Sequence, residues 1–297
     1  MDALNLSSGS GHLKMLKQDR KVRIGMVNFI NTAPIYETWK RRSHPSNWYV
    51  FEAPPSTLNQ MLADGELDLG FVSSYEYGVR PEEYRILPDL SISANGSVGS
   101  VFLFCRIDPK LLDNETVLLS GQSETSIALI KIILEEFYKV HPVYLVGDVH
   151  GGMAEQASAI LAIGDEALRL SSEGHFPYQL DLGQVWCKYT DLPFVFAICA
   201  VREDFCRKYP ETVAEIQKEF LVCKGEGSLR LESICSQVAP RIPMHPDECY
   251  VYLRAIEYDL SERKQLALEK YYGYLIERGE VSPHSVPLRF FEDYDVH

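Results

Sequence analysis

Short apolar runs that end in small polar residues recur along the chain and predict buried strands. The first run, VRIGMVNFI at residues 22–30, is rich in β-branched residues and partly alternates. A helical pattern follows, in which Leu58, Met61 and Leu62 share one face and Gly65 lies where the helix would end. The other predicted strands are residues 67–74, 100–106, 116–120, 159–164 and 193–201.

A second helix is predicted after a hydroxyl-rich stretch, GQSETSIALIKIIL at residues 121–134. Its apolar face includes Ile130, Ile133, Leu134 and Phe137. After residue 201 the pattern becomes helical, in the segments ETVAEIQKEFLVC, SLRLESICSQV and SERKQLALEKYYGYLIERG. Strands that alternate with helices predict parallel sheets in an α/β architecture.

Two apolar strands followed by polar residues, near 104–107 and 196–200, mark places where the chain can cross between lobes. We therefore predict a flexible lead of residues 1–21 and two lobes. Lobe 1 comprises residues 22–105 plus 199–297, and lobe 2 comprises residues 106–198. This division predicts a cleft, crossed twice by the chain, that can hold a ligand from both sides.

Small polar residues lie at the predicted carboxyl ends of several strands, where ligands bind in α/β sheets. They are Asn31 and Thr32, Ser73 and Ser74, the group Ser123, Thr125 and Ser126, and Gly164 with Asp165. A helix N-terminus has unpaired N–H groups and a partial positive charge, so a hydroxyl-bearing start is suited to a carboxylate. Ordinary capping is the competing interpretation, and it is the commoner one for Asn31 and for the Ser123 group. For Ser73 and Ser74, an ordinary polar turn is about as common as a binding site.

Composition narrows the class of ligand. The net charge of −13 argues against nucleic acid or an anionic membrane as the main partner, but a local pocket for a small anion remains compatible with it. No apolar run is long enough to span a bilayer, and the N-terminal stretch does not resemble a secretory signal. The 7 cysteines include no Cys-x-x-Cys pair and the 8 histidines no His-x-x-x-His pair, so we expect reduced thiols, no metal site and a cytoplasmic location.

Acid–base chemistry has few candidates in the sequence. Glu76 and Asp165 are placed for it by their positions after strands, although a carboxylate in such a position is more often a structural cap or a surface group. His150, in GDVHGG, is predicted to lie in a loop. The sequence contains no nucleophile elbow, phosphate loop or metal-binding helix motif.

Several segments, in their order along the chain, resemble one known family. They are GMVNFINTAPIY, LADGELDLGFVSSYEY, GSVFLFCR, SGQSETSIALIKIIL, AILAIGDEAL and DLGQVWCKYTDLPFVFAICA. Together they resemble the chorismate dehydratases of the futalosine route to menaquinone, from about Val22 through the C-terminal helices. One departure is Asp191, where the family usually has glycine, and we expect it to alter only a turn.

The resemblance implies a two-lobed fold like that of the type II periplasmic binding proteins, with mixed, mostly parallel sheets flanked by helices. It also implies a hydro-lyase, a carbon–oxygen lyase that converts chorismate to 3-[(1-carboxyvinyl)oxy]benzoate without a metal or organic cofactor. The motif positions map to Asn31, in N-x-x-P, and Ser100, before VFLF, as the residues nearest the reacting carbons. Neither is a strong base, so a substrate carboxylate is a candidate proton acceptor. The residues assigned to substrate binding are Ser73, Ser74, Thr125, Ser126, Gly164 and Asp165.

Two rival functions stay open. The first is 1,4-dihydroxy-6-naphthoate synthase, a later enzyme of the same pathway with a similar fold. That relative has a catalytic histidine where this chain has Gly164, followed by glutamate rather than Asp165. The second is a non-catalytic solute-binding protein, which would need export or a lipid anchor that the N-terminus does not indicate. The sequence does not determine the oligomeric state.

Overall fold

The computed structural model of the chain describes residues 20–242 and 244–292. Within these residues, two sheets of 5 strands each form the framework. Of the predicted flexible lead, residues 1–21, the first 19 residues lie outside the described part of the chain. Arg20 is ion-paired with Asp68 at 2.9 Å.

The strands are β1 (Val22–Val27), β2 (Trp48–Ala53), β3 (Leu69–Ser73), β4 (Tyr84–Ala94), β5 (Val101–Cys105), β6 (Thr116–Leu119), β7 (Val143–Val146), β8 (Ala159–Ile163), β9 (Tyr178–Asp181) and β10 (Phe194–Arg202).

Helices cover the sheets and make up most of the chain after β10. They are α1 (Ala33–Trp39), α2 (Pro55–Ala63), α3 (Ser74–Val79), α4 (Glu124–Ile132), α5 (Gly152–Gln156), α6 (Gly164–Glu173), α7 (Leu182–Thr190), α8 (Glu203–Lys208), α9 (Pro210–Leu229), α10 (Leu231–Val238), α11 (Pro246–Ala255) and α12 (Glu262–Glu277). None of the helices in the described part of the chain has both the length and the apolar character needed to cross a bilayer.

The two sheets have the same plan. Sheet A has the strand order β2-β1-β3-β10-β4 and sheet B the order β7-β6-β8-β5-β9. In each sheet one strand is reversed: β10 is antiparallel to β3 and β4, and β5 is antiparallel to β8 and β9. The predicted α/β fold with mixed, mostly parallel sheets is therefore confirmed. β5 and β10 are each the first strand that the chain forms after it crosses from the other sheet. Each therefore begins on the side of the sheet where its neighbouring strands end.

Sheet membership revises the predicted lobe boundaries. The prediction placed residues 101–105 in lobe 1 and residues 194–198 in lobe 2, whereas β5 belongs to sheet B and the whole of β10 to sheet A. The polar residues that precede these strands, and not those that follow them, connect the sheets. We therefore propose that the chain crosses between lobes at residues 95–100 and 191–193.

Asp191 lies in the second crossover and ends α7 in the left-handed conformation, with φ of 57°. Glycine adopts this conformation with the least steric strain. This agrees with the glycine that is usual at this position in the family that the sequence resembles. The Asp191 side chain is fully exposed, at 103%. The presence of aspartate instead of glycine therefore affects only the end of α7.

Lobe 1 is stabilised by close packing of α9 across α1. The buried face of α9 includes Val213, Ile216 and Phe220. Near its C-terminal end, Gly227 lies against the backbone of Pro34, where an added Cβ would be 1.9 Å from the Pro34 carbonyl oxygen. The two backbones can approach this closely because Gly227 has no side chain.

Candidate active site

A small cavity lies between the two sheets, with a volume of about 40 Å³. Typical ligand pockets measure roughly 300–1,000 Å³, so this space holds little more than a water molecule or two. The lining residues come from both lobes: Val27, Phe29, Asn31, Pro55, Ser73, Ile92, Val98, Ser100, Val101, Ser123, Ser126, Ile163, Gly164, Phe196 and Ala197.

The strand directions explain why these residues meet. β1, β3 and β8 end at the cavity, whereas the reversed strands β5 and β10 begin there, at Val101 and near Phe196. Residues that directly follow a strand or directly precede a reversed one are thus brought to a single edge. This is the arrangement in which α/β sheets bind ligands.

Asn31 is not the cap of α1. It lies in a short 3-10 turn, Ile30–Thr32, and Thr32 occupies the N-cap position. The Asn31 Oδ1 atom is buried and has no hydrogen-bond partner among the described residues. A buried polar atom without a hydrogen-bond partner destabilises the folded protein by about 1–3 kcal/mol. Because Asn31 lines the cavity, its unpartnered amide oxygen marks it as a candidate ligand-binding group.

Ser100, at the end of the first crossover, is also buried, with 1% exposure. The Tyr252 hydroxyl donates to its Oγ at 2.9 Å, and its carbonyl accepts from the N–H of Gly164 at 2.8 Å. The second bond ties the start of β5 to the end of β8. Ser100 and Asn31, the two residues that the resemblance places nearest the reacting carbons, therefore share one cavity.

The crossover loop before Ser100 is held by the carboxylate of Asp181, the last residue of β9. Asp181 accepts from the Ser97 hydroxyl at 2.7 Å, from the Gly99 N–H at 2.7 Å and from the Val98 N–H at 3.1 Å. It also caps α7 by accepting from the Gln184 N–H at 3.0 Å. One side chain thus fixes the loop and the helix together.

Asp181→Asn is expected to lower the free energy of unfolding by about 2 kcal/mol, because an amide N–H₂ would face donors and leave at least one of them unpaired. Turnover should fall as the loop before Ser100 loosens. Urea titration followed by circular dichroism measures the first effect. Asp191→Asn, at an exposed position, serves as the control and should change stability by less than about 0.5 kcal/mol; equal effects at both positions would contradict this account of Asp181.

The hydroxyl-rich start of α4 divides into two sides. Ser123 is the N-cap, and its Oγ accepts from the Ser126 N–H at 3.3 Å. Both serines line the cavity. Thr125 does not line it, and its Oγ1 accepts from the Tyr75 N–H at 2.9 Å. The helix start is therefore both an ordinary cap and a wall of the cavity.

Ser73 lines the cavity at the end of β3, and its neighbour Ser74 does not. Asn59 of α2 donates to the Ser73 Oγ at 2.7 Å and accepts from the Ser73 N–H at 3.0 Å. The Ser74 hydroxyl donates to the Val195 carbonyl at 2.7 Å. Asn59, which the sequence analysis did not single out, also donates to Glu124 at 2.6 Å and so links the two lobes.

Gly164 and Asp165 contribute in different ways at the end of β8. Gly164 has φ of 60°, and an added Cβ would lie 2.8 Å from ring carbons of Phe29. Asp165 does not line the cavity; its Oδ1 accepts from the Ile30 N–H at 3.1 Å, across the two lobes. Burial raises the pKa of the Asp165 carboxyl, while the Ile30 N–H lowers it. Asp165 thereby holds the turn that contains Asn31.

The assignment of six residues to substrate binding stays a prediction, and the structure divides them. Ser73, Ser126 and Gly164 line the cavity together with Asn31 and Ser100. The polar atoms of Ser74, Thr125 and Asp165 have partners inside the protein instead. Two aromatic residues, Phe29 and Phe196, also line the cavity and were missed.

The other acid–base candidates lie elsewhere. Glu76 accepts from Arg80 at 2.7 Å and from the Tyr84 hydroxyl at 2.8 Å. Burial raises the pKa of Glu76, and Tyr84 and Arg80 lower it. His150 is paired with Glu166 at 2.8 Å. Neither Glu76 nor His150 lines the cavity, and among its described lining residues there is no Asp, Glu, His, Lys or Arg.

Comparisons with known proteins place this geometry in context. A family model described as menaquinone biosynthesis matches residues 22–277. The chain is 31% identical over 266 residues to the chorismate dehydratase of Thermus thermophilus, covering 84% of this chain and 93% of that protein. It is 29% identical over 202 residues to the chorismate dehydratase of Campylobacter jejuni, covering 65% and 75%.

Among solved structures, the periplasmic aliphatic sulphonate binding protein of Escherichia coli is similar in fold. The TM-score is 0.62 at 13% identity, with 88% of this chain and 94% of that chain covered. The two-lobed architecture of the periplasmic binding proteins is therefore the fold of this chain.

Proposed function

This chain belongs to the menaquinone-biosynthesis family, and we propose that it is a chorismate dehydratase. In this proposal it eliminates water from chorismate to give 3-[(1-carboxyvinyl)oxy]benzoate, which makes it a carbon–oxygen lyase of the hydro-lyase kind. The predicted cytoplasmic location remains part of the proposal.

The observation that supports it best is the composition of the cavity wall. Uncharged hydrogen-bonding groups from both lobes face one space: the Asn31 amide and the hydroxyls of Ser73, Ser100, Ser123 and Ser126. Chorismate has two carboxylates and one hydroxyl. The N-terminus of α4 offers N–H groups and a favourable dipole for one carboxylate, and the amide of Asn31 can both accept from a hydroxyl and donate to an oxygen.

The reaction breaks the C–H bond at the carbon with the enolpyruvyl ether. That electron pair forms the new ring double bond, and the C–O bond to the neighbouring hydroxyl breaks. The product ring is aromatic, so the protein mainly orients the substrate and stabilises the charge that develops. Asn31 and Ser100 would bind the departing oxygen and fix the ring. Because the described lining residues include no basic side chain, we infer that a substrate carboxylate takes the proton.

The size of the cavity adds a conformational requirement. A volume of about 40 Å³ is too small for chorismate, so the lobes must separate to admit it. Closing around the substrate then excludes bulk water from the reacting carbons. The crossovers at residues 95–100 and 191–193 are the segments in which this motion would take place.

The rival synthase activity fits the site less well. A side chain at Gly164 would meet the Phe29 ring at 2.8 Å and would have to adopt a φ of 60°. That position therefore cannot present a catalytic histidine in this arrangement of the lobes.

Incubation of the purified protein with chorismate tests the proposal. We expect loss of chorismate and formation of 3-[(1-carboxyvinyl)oxy]benzoate, followed by ultraviolet absorbance and mass spectrometry, without added metal or organic cofactor. Binding of chorismate without turnover would favour a solute-binding protein. Absence of both binding and turnover would remove chorismate as the substrate.

A further inference from the structure

Tyrosine hydroxyls of the C-terminal part of the chain donate to residues that line the cavity or that directly adjoin a lining residue. Tyr258 donates to the Asn31 carbonyl at 2.7 Å, Tyr271 to the Thr125 carbonyl at 3.2 Å and Tyr272 to the Ser74 carbonyl at 2.8 Å. These three bonds end on backbone oxygens. Tyr252, on α11, instead donates to a side-chain atom, the Oγ of Ser100.

The Tyr252 phenol is held firmly in place. Its side chain is buried, with 8% exposure, and its ring lies over the crossover, where a Cβ on Gly99 would be 3.2 Å from a ring carbon. Burial raises the pKa of Tyr252, so the phenol stays protonated and remains a donor. The Tyr252 hydroxyl is therefore a fixed O–H group aimed at Ser100.

A serine hydroxyl has one proton and can accept from other groups at the same time. When Tyr252 donates to the Ser100 Oγ, the Ser100 proton stays available for a second partner. Ser100 lines the cavity, so that partner can be a substrate oxygen. Without the phenol, the hydroxyl rotates and its proton is no longer held in one direction.

We propose that Tyr252 is a positioning residue for the elimination, which fixes the Ser100 hydroxyl so that it donates its proton into the cavity. This inference rests on the proposed function. Tyr252 acts through Ser100 and need not touch the substrate. The expected contribution is that of one neutral hydrogen bond, or about tenfold in turnover.

The test compares Tyr252→Phe with Tyr272→Phe. Each variant loses one buried phenolic hydroxyl, but among the described residues the Tyr272 hydroxyl bonds to the backbone of Ser74, which does not line the cavity. We expect kcat for chorismate to fall about tenfold in Tyr252→Phe, with KM within about twofold, and to change less than about twofold in Tyr272→Phe. Equal kcat in the two variants would overturn the inference.

A double-mutant cycle with Ser100→Ala separates positioning from general structural support. Ser100→Ala alone is expected to lower kcat by about 100-fold. Adding Tyr252→Phe should then cause no further loss, because the group that the phenol orients is gone. A further tenfold loss would show that Tyr252 acts independently of Ser100. If the wild-type protein leaves chorismate unchanged, the proposed function itself fails. If the wild type is active and Tyr252→Phe has the same kcat, only the positioning role of Tyr252 fails.

Discussion

Replacing Asn31 with alanine is expected to lower kcat for chorismate by at least about 100-fold while leaving the protein as stable as the wild type, or up to about 1 kcal/mol more stable. The activity falls because the amide that would bind the departing hydroxyl is removed. The stability does not fall because the Asn31 Oδ1 is buried without a hydrogen-bond partner among the described residues, so its removal relieves a desolvation cost. Steady-state kinetics and urea unfolding measure the two effects.

Asn59→Ala provides the contrast. Asn59 is buried beside the same cavity, but its amide bonds to Ser73 and Glu124. Its loss should destabilise the protein by about 2 kcal/mol. If Asn31→Ala retained wild-type turnover, Asn31 would have no part in the mechanism, and if it destabilised the protein as much as Asn59→Ala, its amide would have a structural role instead.

Gly227→Ala is expected to lower the free energy of unfolding by about 3 kcal/mol. The added Cβ would lie 1.9 Å from the carbonyl oxygen of Pro34 and 2.6 Å from its carbonyl carbon. These are backbone atoms, so α9 and α1 must move apart along their contact. Because Pro34 follows Asn31 by one short turn, turnover should fall as well. Thermal and urea unfolding followed by circular dichroism measure the loss.

Gly225→Ala is the matched control in the same helix. A Cβ there meets nothing within 4 Å, and alanine is favoured over glycine in helices by about 0.5–1 kcal/mol. We therefore expect Gly225→Ala to be slightly stabilising. A similarly small effect of Gly227→Ala would contradict the close backbone contact between α9 and Pro34.

The sequence predicted the central strands well and the peripheral ones poorly. β3 and β8 are buried along their whole length, so each appears as an unbroken apolar run. β7 and β9 are largely exposed and lack that signal. β4 was missed for another reason: it contains Pro88 and Asp89, the latter with φ of 58°, a pair that is typical of a turn.

The candidate site shows a similar limit. Sheet topology predicts that polar residues at strand ends lie near one another, and only some of the predicted ones line the cavity. Which member of an adjacent pair faces the cavity was not predictable, because successive residues point in different directions. Ser73 and Ser126 line the cavity, whereas their neighbours Ser74 and Thr125 do not.

Tyr252 could not be found from sequence at all. It belongs to α11, which begins at Pro246 after a stretch with Pro240 and Pro243 and was not predicted as a helix. Its contact with Ser100 joins residues 152 positions apart. Nothing local in the sequence indicates such a pairing, which depends on how the C-terminal helices return to the first lobe.

The position of β10 has a consequence for biosynthesis of the protein. All strands of sheet B lie between residues 101 and 181, whereas β10, residues 194–202, is inserted between β3 and β4 of sheet A. On the ribosome, the second lobe can therefore complete its sheet while β3 and β4 still lack the strand that joins them. The lobe that is begun first is finished last, and β4 stays an unpaired edge of the nascent chain until β10 emerges.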